Sequence, residues 1–498
     1  MIVFDAWHLP GIEDSDLAGW NEWTYDDGRI RIRVPVLDPS ALGRVTERLR
    51  AAREEALAGR PVADVVRAVD AVARRLGRSD DPHRAQAERL LPAVTGYSPP
   101  MIRLILDRMA ADWRAGALDG LLRAEFRDPG VLDGFRDDGS TAGPEWREGG
   151  PGRGGAAGRA GGGVSGGRPA PRRVRAYGPE LAVHLFSGNV PGVAVTSLIR
   201  ALLVKASSLG KTASGEPVLP VLFARMLMEV DPALGECLAV TYWPGGSAAL
   251  EDVAFGSADT VIVYGGEESV ASVRARIPPG TRLVEHGPRL SFIAIGKEAL
   301  GAAEAPGVAD AAARATAVFD QQGCVSPHVV YIERGGEVEP RRFAALLARG
   351  MERLEEELPR GRIGPAEAAR IRQVRGGAEF RALAGRDVEV HASDGTEYTV
   401  IYEADPEFTA SCLNRVIWVK PLDALEDVVA HVEPFARYLQ TVGLVAGSRR
   451  REALAERLGR IGASRITDLQ GMPWPPPPWH HDGRGPLLEL IRWADLEG

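Results

Sequence analysis

The sequence predicts an α/β fold in which a mainly helical N-terminal region precedes two α/β blocks. Two features of the 498-residue chain indicate this fold. Apolar residues recur at helical spacing in the first part, and from about Arg173 short apolar runs alternate with helix-like stretches. Such runs, among them "ALLVKA", "DTVIVYG" and "SFIAIG", are typical of strands buried on both faces of a parallel sheet and joined by helical crossovers.

The N-terminal region is predicted to contain one strand followed by helices. The stretch "IRIRVPV" (30–36) alternates apolar with polar residues, as a half-buried strand does. Apolar residues between Val62 and Leu76 then follow the 3.6-residue period of an amphipathic helix. Farther along, Ser98 and Pro99 are of the types preferred at the N-cap and first position of a helix, so a helix is expected to begin there.

A glycine-rich stretch separates this region from the α/β part. Between Gly149 and Arg168, eleven of twenty residues are glycine, so little apolar surface is available to offset the entropy of ordering the backbone. A flexible insert is therefore expected here. The predicted organisation is an N-terminal region (1–125), this insert (126–172), a doubly wound, Rossmann-type nucleotide-binding domain (173–300), a second α/β domain carrying Cys324 (301–445) and a C-terminal segment returning to the first α/β domain (446–498).

Composition and charge exclude several classes of function. A net charge of -8 argues against a nucleic-acid or anionic membrane surface, because such binding is driven by basic residues. Three widely spaced cysteines without a CxxC pair support neither a disulfide framework nor a metal site. No export signal or membrane span is visible. A cytoplasmic protein without a metal and with small-molecule or protein partners is expected.

Cys324 is the leading candidate nucleophile. In "FDQQGCVSPHVV" it follows Gly323 in a turn between a helix and a strand, where a side chain reaches a cleft and backbone N–H groups are unpaired. Most free cysteines are small buried hydrophobes, but glutamines, a glycine and a Ser-Pro step are poor core neighbours. Cys237 and Cys412 lie in more apolar stretches and are expected to fill space.

A second candidate is the turn "FSGNVPG", which carries Ser187 and Asn189. It follows a predicted strand that ends at Phe186, and ligands of α/β folds bind at the carboxyl ends of strands. The Asn189 amide is suited to stabilise a developing oxyanion there. The alternative is a turn asparagine that caps the next helix.

The stretch "LLVKASSLGKT" suggests the type of nucleotide. It is predicted to place Lys205 and Ser208 just past a strand, with Lys211 close behind, and no acid occurs between Leu202 and Ser214. Because NAD sites present a carboxylate to the 2′-hydroxyl, lysines and hydroxyls favour the 2′-phosphate of NADP(H). An exposed lysine cluster is the alternative.

A Gly-Gly turn marks a further cofactor contact. In "VIVYGGEESV" a strand runs into Gly265 and Gly266 and then into a helix, which allows the backbone to approach a pyrophosphate. The stretch lacks the GxGxxG pattern.

In this order the stretches resemble the LuxC-type acyl-CoA reductases of the aldehyde dehydrogenase superfamily. The resemblance runs from about "TGYSPPMIR" to the C-terminus, with the glycine-rich insert as a departure, and "FDQQ-x-C-x-SP" is its most specific part. The stretches that carry it are "HLFSGNVPGV", "LVKASSLGKT", "VIVYGG", "FDQQGCVSPH", "YLQTVG" and "PWHHDGRGPLLELIRW". It implies an aldehyde-dehydrogenase-like fold, and the closing stretch is expected to end in a short amphipathic helix.

The resemblance also implies roles for individual residues. Cys324 would carry the acyl group, and Asn189 with the Cys324 backbone N–H would form the oxyanion hole. Lys205 and Ser208 would hold the cofactor ribose or its phosphate, and Gly265 with Gly266 would lie against the cofactor.

The general-base glutamate of the superfamily matches Glu285, with His286 as its neighbour. A second superfamily glutamate, which contacts the nicotinamide ribose, falls near Ser411 and is not matched. Because an acyl-cysteine that waits for hydride must not be hydrolysed, this divergence favours a reductase.

The expected activity is NADPH-dependent reduction of an acyl thioester, such as a fatty acyl-CoA or acyl-carrier thioester, to the aldehyde. One alternative is an NAD(P)-dependent aldehyde dehydrogenase that works in the oxidative direction. Another is an inactive scaffold homologue that binds an acyl-transferring partner. The resemblance further implies a homo-oligomer and an acyl-protein synthetase or transferase as partner.

Overall fold

The computed structural model describes residues 1–137 and 172–497, so most of the predicted glycine-rich insert (126–172) lies outside the described residues. The strands are β1 Ile2–Asp5, β2 Gly19–Tyr25, β3 Ile30–Val36, β4 Arg136–Asp137, β5 Arg173–Tyr177, β6 Leu181–Leu185, β7 Ser207–Lys211, β8 Leu238–Thr241, β9 Thr260–Tyr264, β10 Arg282–His286, β11 Leu290–Ile295, β12 Pro327–Glu333, β13 Val388–Ala392, β14 Thr399–Glu403, β15 Val416–Leu422, β16 Leu439–Val445, β17 Arg465–Thr467 and β18 Arg492–Leu496. The α-helices are α1 Pro39–Ala52, α2 Val62–Leu76, α3 Pro82–Thr95, α4 Pro99–Asp112, α5 Ala115–Glu125, α6 Val193–Leu203, α7 Leu219–Val230, α8 Pro232–Gly235, α9 Ala248–Ser257, α10 Glu267–Arg274, α11 Ala305–Ala317, α12 Pro340–Glu357, α13 Pro365–Leu383, α14 Val428–Val432 and α15 Ser448–Arg460.

The N-terminal region consists of a three-stranded sheet and five helices, and the one predicted strand, 30–36, is its central strand β3, whereas β1 and β2 were not predicted. Strand β3 lies between β1 and β2, and α2 buries its apolar stripe. The predicted start of α4 is confirmed, because the Ser98 side chain accepts the N–H of Met101 and Pro99 is the first helical residue. This helix is important below because its two ends reach the candidate site.

The next five strands form a parallel sheet with the order β10-β9-β6-β7-β8. All are short, and β6, β8 and β9 are almost fully buried, which explains their nearly continuous apolar runs. The chain order reverses between β6 and β9, so the turns that leave these two strands open a crevice at their carboxyl ends. Those turns carry Ser187 with Asn189 and Gly265 with Gly266.

The second sheet has seven strands in the order β13-β14-β15-β12-β11-β16-β17, and only β13 runs antiparallel to its neighbour. Strand β11 (Leu290–Ile295) belongs to this sheet, so the chain changes sheets between His286 and Leu290, before the predicted boundary at residue 300. The carboxyl end of β10 therefore faces the amino end of β11. The site lies between the two sheets at this crossing.

The C-terminal segment ends in a strand, and the short helix expected there is reduced to a single 3-10 turn, Leu488–Leu490. Strand β18 pairs antiparallel with β5, which also pairs with β4, so sheet pairing overrides the local helical pattern. In the described ranges, no helix has the length and apolar character needed to cross a bilayer.

Candidate active site

A cavity of about 520 Å³ lies where the carboxyl ends of the five-stranded sheet meet the amino ends of the seven-stranded sheet. It is bounded by the turns after β6 and β9, the link between β10 and β11, the turn before β12, helices α4 to α6 and the C-terminal segment. Five of the nine predicted site residues line it: Ser187, Asn189, Gly265, Gly266 and Cys324.

Cys324 lies in the turn before β12 and is exposed within the cavity. Its carbonyl accepts a hydrogen bond of 2.8 Å from the Ser291 hydroxyl on β11, which ties the turn to the sheet. The sulfur itself lies against the cavity walls. This burial, followed by the charge of Asp482, raises the pKa of the Cys324 thiol to about 11.

The chain enters this turn through three residues with left-handed backbone, Phe319, Asp320 and Gln321, whose φ values are 58°, 47° and 65°. None is glycine, so each costs roughly 1–2 kcal/mol and must be held by its surroundings. The Gln321 amide does so by donating to the carbonyls of Pro327 and Val416, at 2.7 and 2.8 Å. The strain is therefore located immediately before the candidate nucleophile.

A second left-handed turn, Leu413 to Arg415, packs against the first one. The Arg415 guanidinium lies 2.7 Å from the Asp320 carboxylate, and the Gln322 amide donates to the Asn414 side chain at 3.0 Å. Each turn thus supplies the groups that hold the other one. The two turns together fix the position of Cys324.

Asn189 is joined to the cysteine turn from the other sheet. Its side-chain N–H donates to the Gln322 carbonyl at 2.8 Å, and Asn189 lines the same cavity as Cys324. A primary amide has two N–H bonds, so this contact orients the group and uses one of its donors. Gly192, at φ 97°, allows α6 to start beside Met109, whose Cγ would lie 2.6 Å from a Cβ at that position.

Tyr97 connects the Asn189 turn to the cysteine turn. Its buried hydroxyl lies 2.6 Å from the Asn189 carbonyl and 3.0 Å from the Phe319 carbonyl. We expect Tyr97→Phe to destabilise the protein by about 1–3 kcal/mol, because buried carbonyls lose their donor. Thermal unfolding and the rate of Cys324 alkylation check this, with Tyr25→Phe, half-buried in β2, as the matched control. Identical unfolding of the Tyr97 variant and the wild type would contradict it.

Glu285 does not reach this cavity. It lies on β10 beside His286, and neighbouring strand residues point to opposite faces, so only one of them can face Cys324. His286 lines the cavity, whereas the Glu285 carboxylate pairs with Arg274 of α10. The predicted general base therefore has no contact with the candidate nucleophile in this structure.

Lys205 and Ser208 also differ from the prediction. The run "ALLVKA" forms the end of α6, and β7 starts only at Ser207, so both residues lie at or near the amino end of the strand. Lys205 is buried and pairs with Asp133 at 2.7 Å, and Ser208 bonds the His184 ring at 3.1 Å. These contacts place both side chains away from the edge where ligands bind.

Lys211 is the cation that lies at the ligand-binding edge. It ends β7 and pairs in register with Leu185 at the end of β6, two residues before Ser187. Its ammonium lies 5.6 Å from the centre of the Tyr242 ring, and burial lowers its pKa. Of the three predicted phosphate contacts, Lys211 is the one whose position agrees with such a role.

The residues at this edge fit a nicotinamide dinucleotide. A Cβ at Gly266 would meet no atom within 4 Å, so the backbone there is open to a ligand. Helix α10 begins at the next residue, and its first N–H groups are available to a phosphate. The cavity continues from this turn to Cys324.

Comparison with known proteins identifies the family. The sequence profile described as acyl-CoA reductase (LuxC) matches residues 169–493. The chain belongs to the acyl-CoA reductase (LuxC) family. The long-chain acyl-protein thioester reductase of Aliivibrio fischeri is 27% identical to it over 338 residues, and the match covers 65% of this chain and 65% of that protein. The matched part thus spans slightly less than two thirds of the relative's length.

Solved structures confirm the aldehyde-dehydrogenase-like fold of this LuxC-family chain. Aldehyde dehydrogenase 21 from Physcomitrella patens, in complex with the reaction product succinate, has a TM-score of 0.72 and 12% identity, with 100% of this chain and 98% of that chain covered. The NADP-dependent glyceraldehyde-3-phosphate dehydrogenase from Bacillus halodurans, complexed with NADP, has a TM-score of 0.68 and 11% identity, with 96% of both chains covered.

The LuxC-family site also contains a buried polar cluster that the motif analysis did not assign. The Asp482 carboxylate accepts from the His286 ring at 2.9 Å and from Gln440 at 2.9 Å, and it pairs with Arg289 at 2.7 Å. Asp482 belongs to the "PWHHDGRG" stretch that carried the resemblance. That stretch was therefore the only local signal for this cluster.

The cluster is not arranged as a metal site. Ligand atoms of His286, His481 and Asp482 lie within 4.8 Å of one another. However, the two imidazole rings are stacked 4.3 Å apart and nearly parallel, which prevents both from directing a nitrogen at one ion. Arg289 moreover neutralises the carboxylate. A site without metal stays a prediction.

Proposed function

We propose that this LuxC-family chain reduces a long-chain acyl thioester to the aldehyde, with NADPH as reductant and Cys324 as the acyl carrier. The observation that carries the proposal is the position of the Cys324 thiol. It is exposed in a cavity that extends to the Gly265–Gly266 turn on one side and to an apolar wall on the other. An acyl group bound covalently to this sulfur would thus lie between the turn that contacts the cofactor and the apolar wall, which would bind the hydrocarbon part of the acyl group.

The chemistry of the chain's own residues starts with the sulfur. Its thiolate attacks the thioester carbonyl, a carbon–sulfur bond forms to Cys324, and the bond to the carrier sulfur breaks. The second N–H of Asn189 and the Cys324 backbone N–H are suited to stabilise the oxyanion during this exchange. Bound NADPH supplies a hydride to the acyl carbon. The oxyanion then re-forms a carbonyl, the bond to Cys324 breaks and the aldehyde leaves.

Reduction is favoured over hydrolysis because the cavity offers few carboxylates, the kind of group that would act as the general base on water in the oxidative reaction. Asp112 is the only carboxyl among the described residues that line it. It is the last residue of α4, about 20 Å along the helix from the Ser98 end that contacts the cysteine turn. Glu285 and Asp482 are both engaged in ion pairs. The oxidative alternative is therefore not supported by this arrangement.

The apolar wall supports a long-chain acyl group. It is formed by side chains from α4 and the residue after it, from α5, from the turn before Cys324 and from the C-terminal segment: Met109, Trp113, Leu118, Leu121, Phe319 and Trp474. The relatives named long-chain acyl-protein thioester reductases agree with this substrate class. We propose an acyl thioester whose thiol is carried by a protein or by CoA. An acyl-transferring partner and a homo-oligomer stay predictions.

Separate assays of the reductive and the oxidative reaction test the proposal. NADPH with a series of acyl-CoAs of increasing chain length, and with an acylated carrier protein, is expected to yield aldehyde. Aldehyde with NADP⁺ and no thiol acceptor is expected to yield little acid. Rapid acid formation without a thiol, together with no aldehyde from any thioester, would contradict the proposal.

Lys211 is expected to determine the preference for NADPH. We predict that Lys211→Met raises the KM for NADPH about tenfold or more, because a charge-assisted contact to the 2′-phosphate is lost. The KM for NADH should change little, since NADH has no phosphate there. Lys205→Met is the comparison variant, because Lys205 is paired with Asp133 away from this edge. A larger effect of Lys205→Met on the KM for NADPH would contradict this assignment.

A further inference from the structure

The buried cluster around Asp482 adjoins the sulfur of Cys324. Asp482 and Gln440 are both among the groups that shift the pKa of the Cys324 thiol, so both lie near the sulfur. The Gln440 amide N–H also donates to Asp482 at 2.9 Å. The candidate nucleophile and the His286 ring thus have one carboxylate as a common neighbour.

Asp482 holds the His286 ring in a defined orientation. The side chain of Asp482 is 1% exposed, and its φ of 55° shows that the surrounding structure fixes it. Because its carboxylate accepts from Nδ1 of His286, the remaining ring nitrogen, Nε2, is the one free to accept a proton. His286 lines the cavity that contains Cys324.

Stacking with two rings restricts the rotation of His286. Tyr264 lies 4.5 Å and His481 4.3 Å from its ring centre, both nearly parallel to it. Burial, followed by the neighbouring His286, keeps the pKa of His481 well below its usual value, so His481 stays neutral. Both rings line the cavity, but His286 has the closer contact with the Asp482 carboxylate, at 2.9 Å against 4.0 Å for His481.

We infer that His286, held by Asp482, takes the proton of the Cys324 thiol as the sulfur attacks the thioester and then gives it to the departing thiol. Asp482 is a positioning residue in this arrangement. The inference rests on the proposed function for its substrate, but not for the proton transfer itself. It replaces the predicted role of Glu285, whose side chain faces the other way.

The proton balance of this step is complete. The S–H bond of Cys324 breaks and an N–H bond forms at Nε2, while the acyl carbon exchanges one sulfur for another. The leaving thiolate then takes the same proton and becomes a thiol, and His286 returns to its neutral form. Electrostatics make such a base necessary, because burial and the charge of Asp482 hold the pKa of the thiol at about 11. A free thiolate would be scarce at neutral pH.

The charged and titratable groups around His286 come from several elements. They are Tyr264 on β9, Arg200 on α6, Arg289 between β10 and β11, and His481, Asp482 and Glu489 in the C-terminal segment. The pKa of Asp482 is held below its usual range despite burial, chiefly by its bond to His286. The carboxylate therefore remains charged across the neutral pH range.

The test measures proton transfer without a substrate. The rate of Cys324 alkylation by iodoacetamide is followed from pH 5 to pH 10 by mass spectrometry of the full-length protein, for the wild type and two variants. His286→Asn keeps a donor for Asp482 but removes Nε2, and Asp482→Asn removes the negative charge and can donate to Nδ1, so the proton of the ring is no longer fixed at Nδ1. We expect both to lower the rate near pH 7 by at least about tenfold, so that the rate rises only towards the pKa of the unassisted thiol.

Controls separate this role from a purely structural one. His391→Asn, on the edge strand β13, provides the matched histidine replacement and should follow the wild-type profile. Thermal unfolding identifies any variant that fails to fold, and in that case His286→Gln replaces His286→Asn. Wild-type profiles in folded His286→Asn and Asp482→Asn would overturn the inference, as would a shifted profile in Glu285→Gln alone.

The two proposals fail in different ways. If no thioester yields aldehyde but the His286 and Asp482 variants lose the neutral-pH alkylation, the substrate assignment fails and the proton-transfer role stands. If aldehyde forms equally fast in the wild type and in His286→Asn, with equal alkylation profiles, the proton-transfer role fails and the reductase function stands.

Discussion

Cys324→Ala is expected to lower aldehyde formation by at least about a thousandfold, because the variant lacks the atom that carries the acyl group. The fold should be retained, since Cys324 is exposed in the cavity and its side chain does not fill the core. NADPH binding should be retained as well, because the Gly265–Gly266 turn and Lys211 belong to the other sheet. The measurements are NADPH oxidation with an acyl-CoA, and cofactor binding by calorimetry.

A direct observation of the covalent acyl group strengthens this test. In the absence of NADPH, wild-type protein incubated with a radiolabelled acyl-CoA should retain label on the peptide that contains Cys324. The label should then leave as aldehyde when NADPH is added. The matched control is Cys237→Ala, because Cys237 is buried outside the cavity and burial raises the pKa of its thiol to about 12. Unchanged turnover in Cys324→Ala, or equal loss in Cys237→Ala, would contradict the assignment.

The predicted site residues that line one cavity in the structure have local signals. Asn189 and Gly266 follow short apolar strands in turns that contain glycine, and such turns occur at the ligand edge of parallel sheets. Cys324 stands out because its neighbours are poor core residues. In each case the apolar strand and the adjacent turn lie within about ten residues of each other, so both can be recognised in one short stretch of sequence.

Lys205 and Ser208 show the limit of periodicity. The run "ALLVKA" is buried on all sides, and a fully buried helix end has the same apolar pattern as a fully buried strand. The strand begins at Ser207, after the helix has ended at Leu203. The prediction assigned the run "ALLVKA" to a strand and therefore put Lys205 at the carboxyl end, where ligands bind. In the structure Lys205 lies before the amino end of β7. The same window contains Lys211, which was predicted only to lie close behind these two residues and which ends β7 in the structure.

Other site residues have no local signal because their partners are distant in sequence. His286 and Asp482 are 196 residues apart, and Tyr97 lies 222 residues from Phe319. The choice between Glu285 and His286 depends on which face of β10 points to the cavity. That depends on the register with its neighbour β9, which no pattern within β10 specifies.

The left-handed turn before Cys324 is the clearest example of a feature hidden in the sequence. A positive φ is usually indicated in the sequence by glycine or asparagine, but Phe319, Asp320 and Gln321 belong to neither type. The conformation is imposed by contacts with the turn that ends at Arg415, 95 residues farther along the chain. This dependence leads to a prediction about Arg415.

Arg415→Met is expected to lower the free energy of unfolding by about 3–5 kcal/mol, because it leaves buried carboxylates without their cation. The Arg415 side chain is 1% exposed and lies 2.7 Å from Asp320 and 2.8 Å from Glu355, and it also donates to the Leu358 carbonyl at 2.9 Å. Methionine has a similar length but no donor. Denaturant unfolding monitored by circular dichroism gives the magnitude.

Arg415→Met should lower the reactivity of Cys324 as well as the stability of the protein. Asp320 is the middle residue of the left-handed turn, so freeing its carboxylate allows Phe319 and Gln321 to relax and Cys324 to shift. We therefore expect acyl labelling of Cys324 to fall in Arg415→Met even at temperatures where the variant is folded. Arg353→Met is the matched control, because Arg353 is 59% exposed and its pairing with Asp310 is worth at most about 1 kcal/mol. A folded Arg415→Met with wild-type stability and labelling would show that the cysteine turn holds its strained backbone without the buried ion pair.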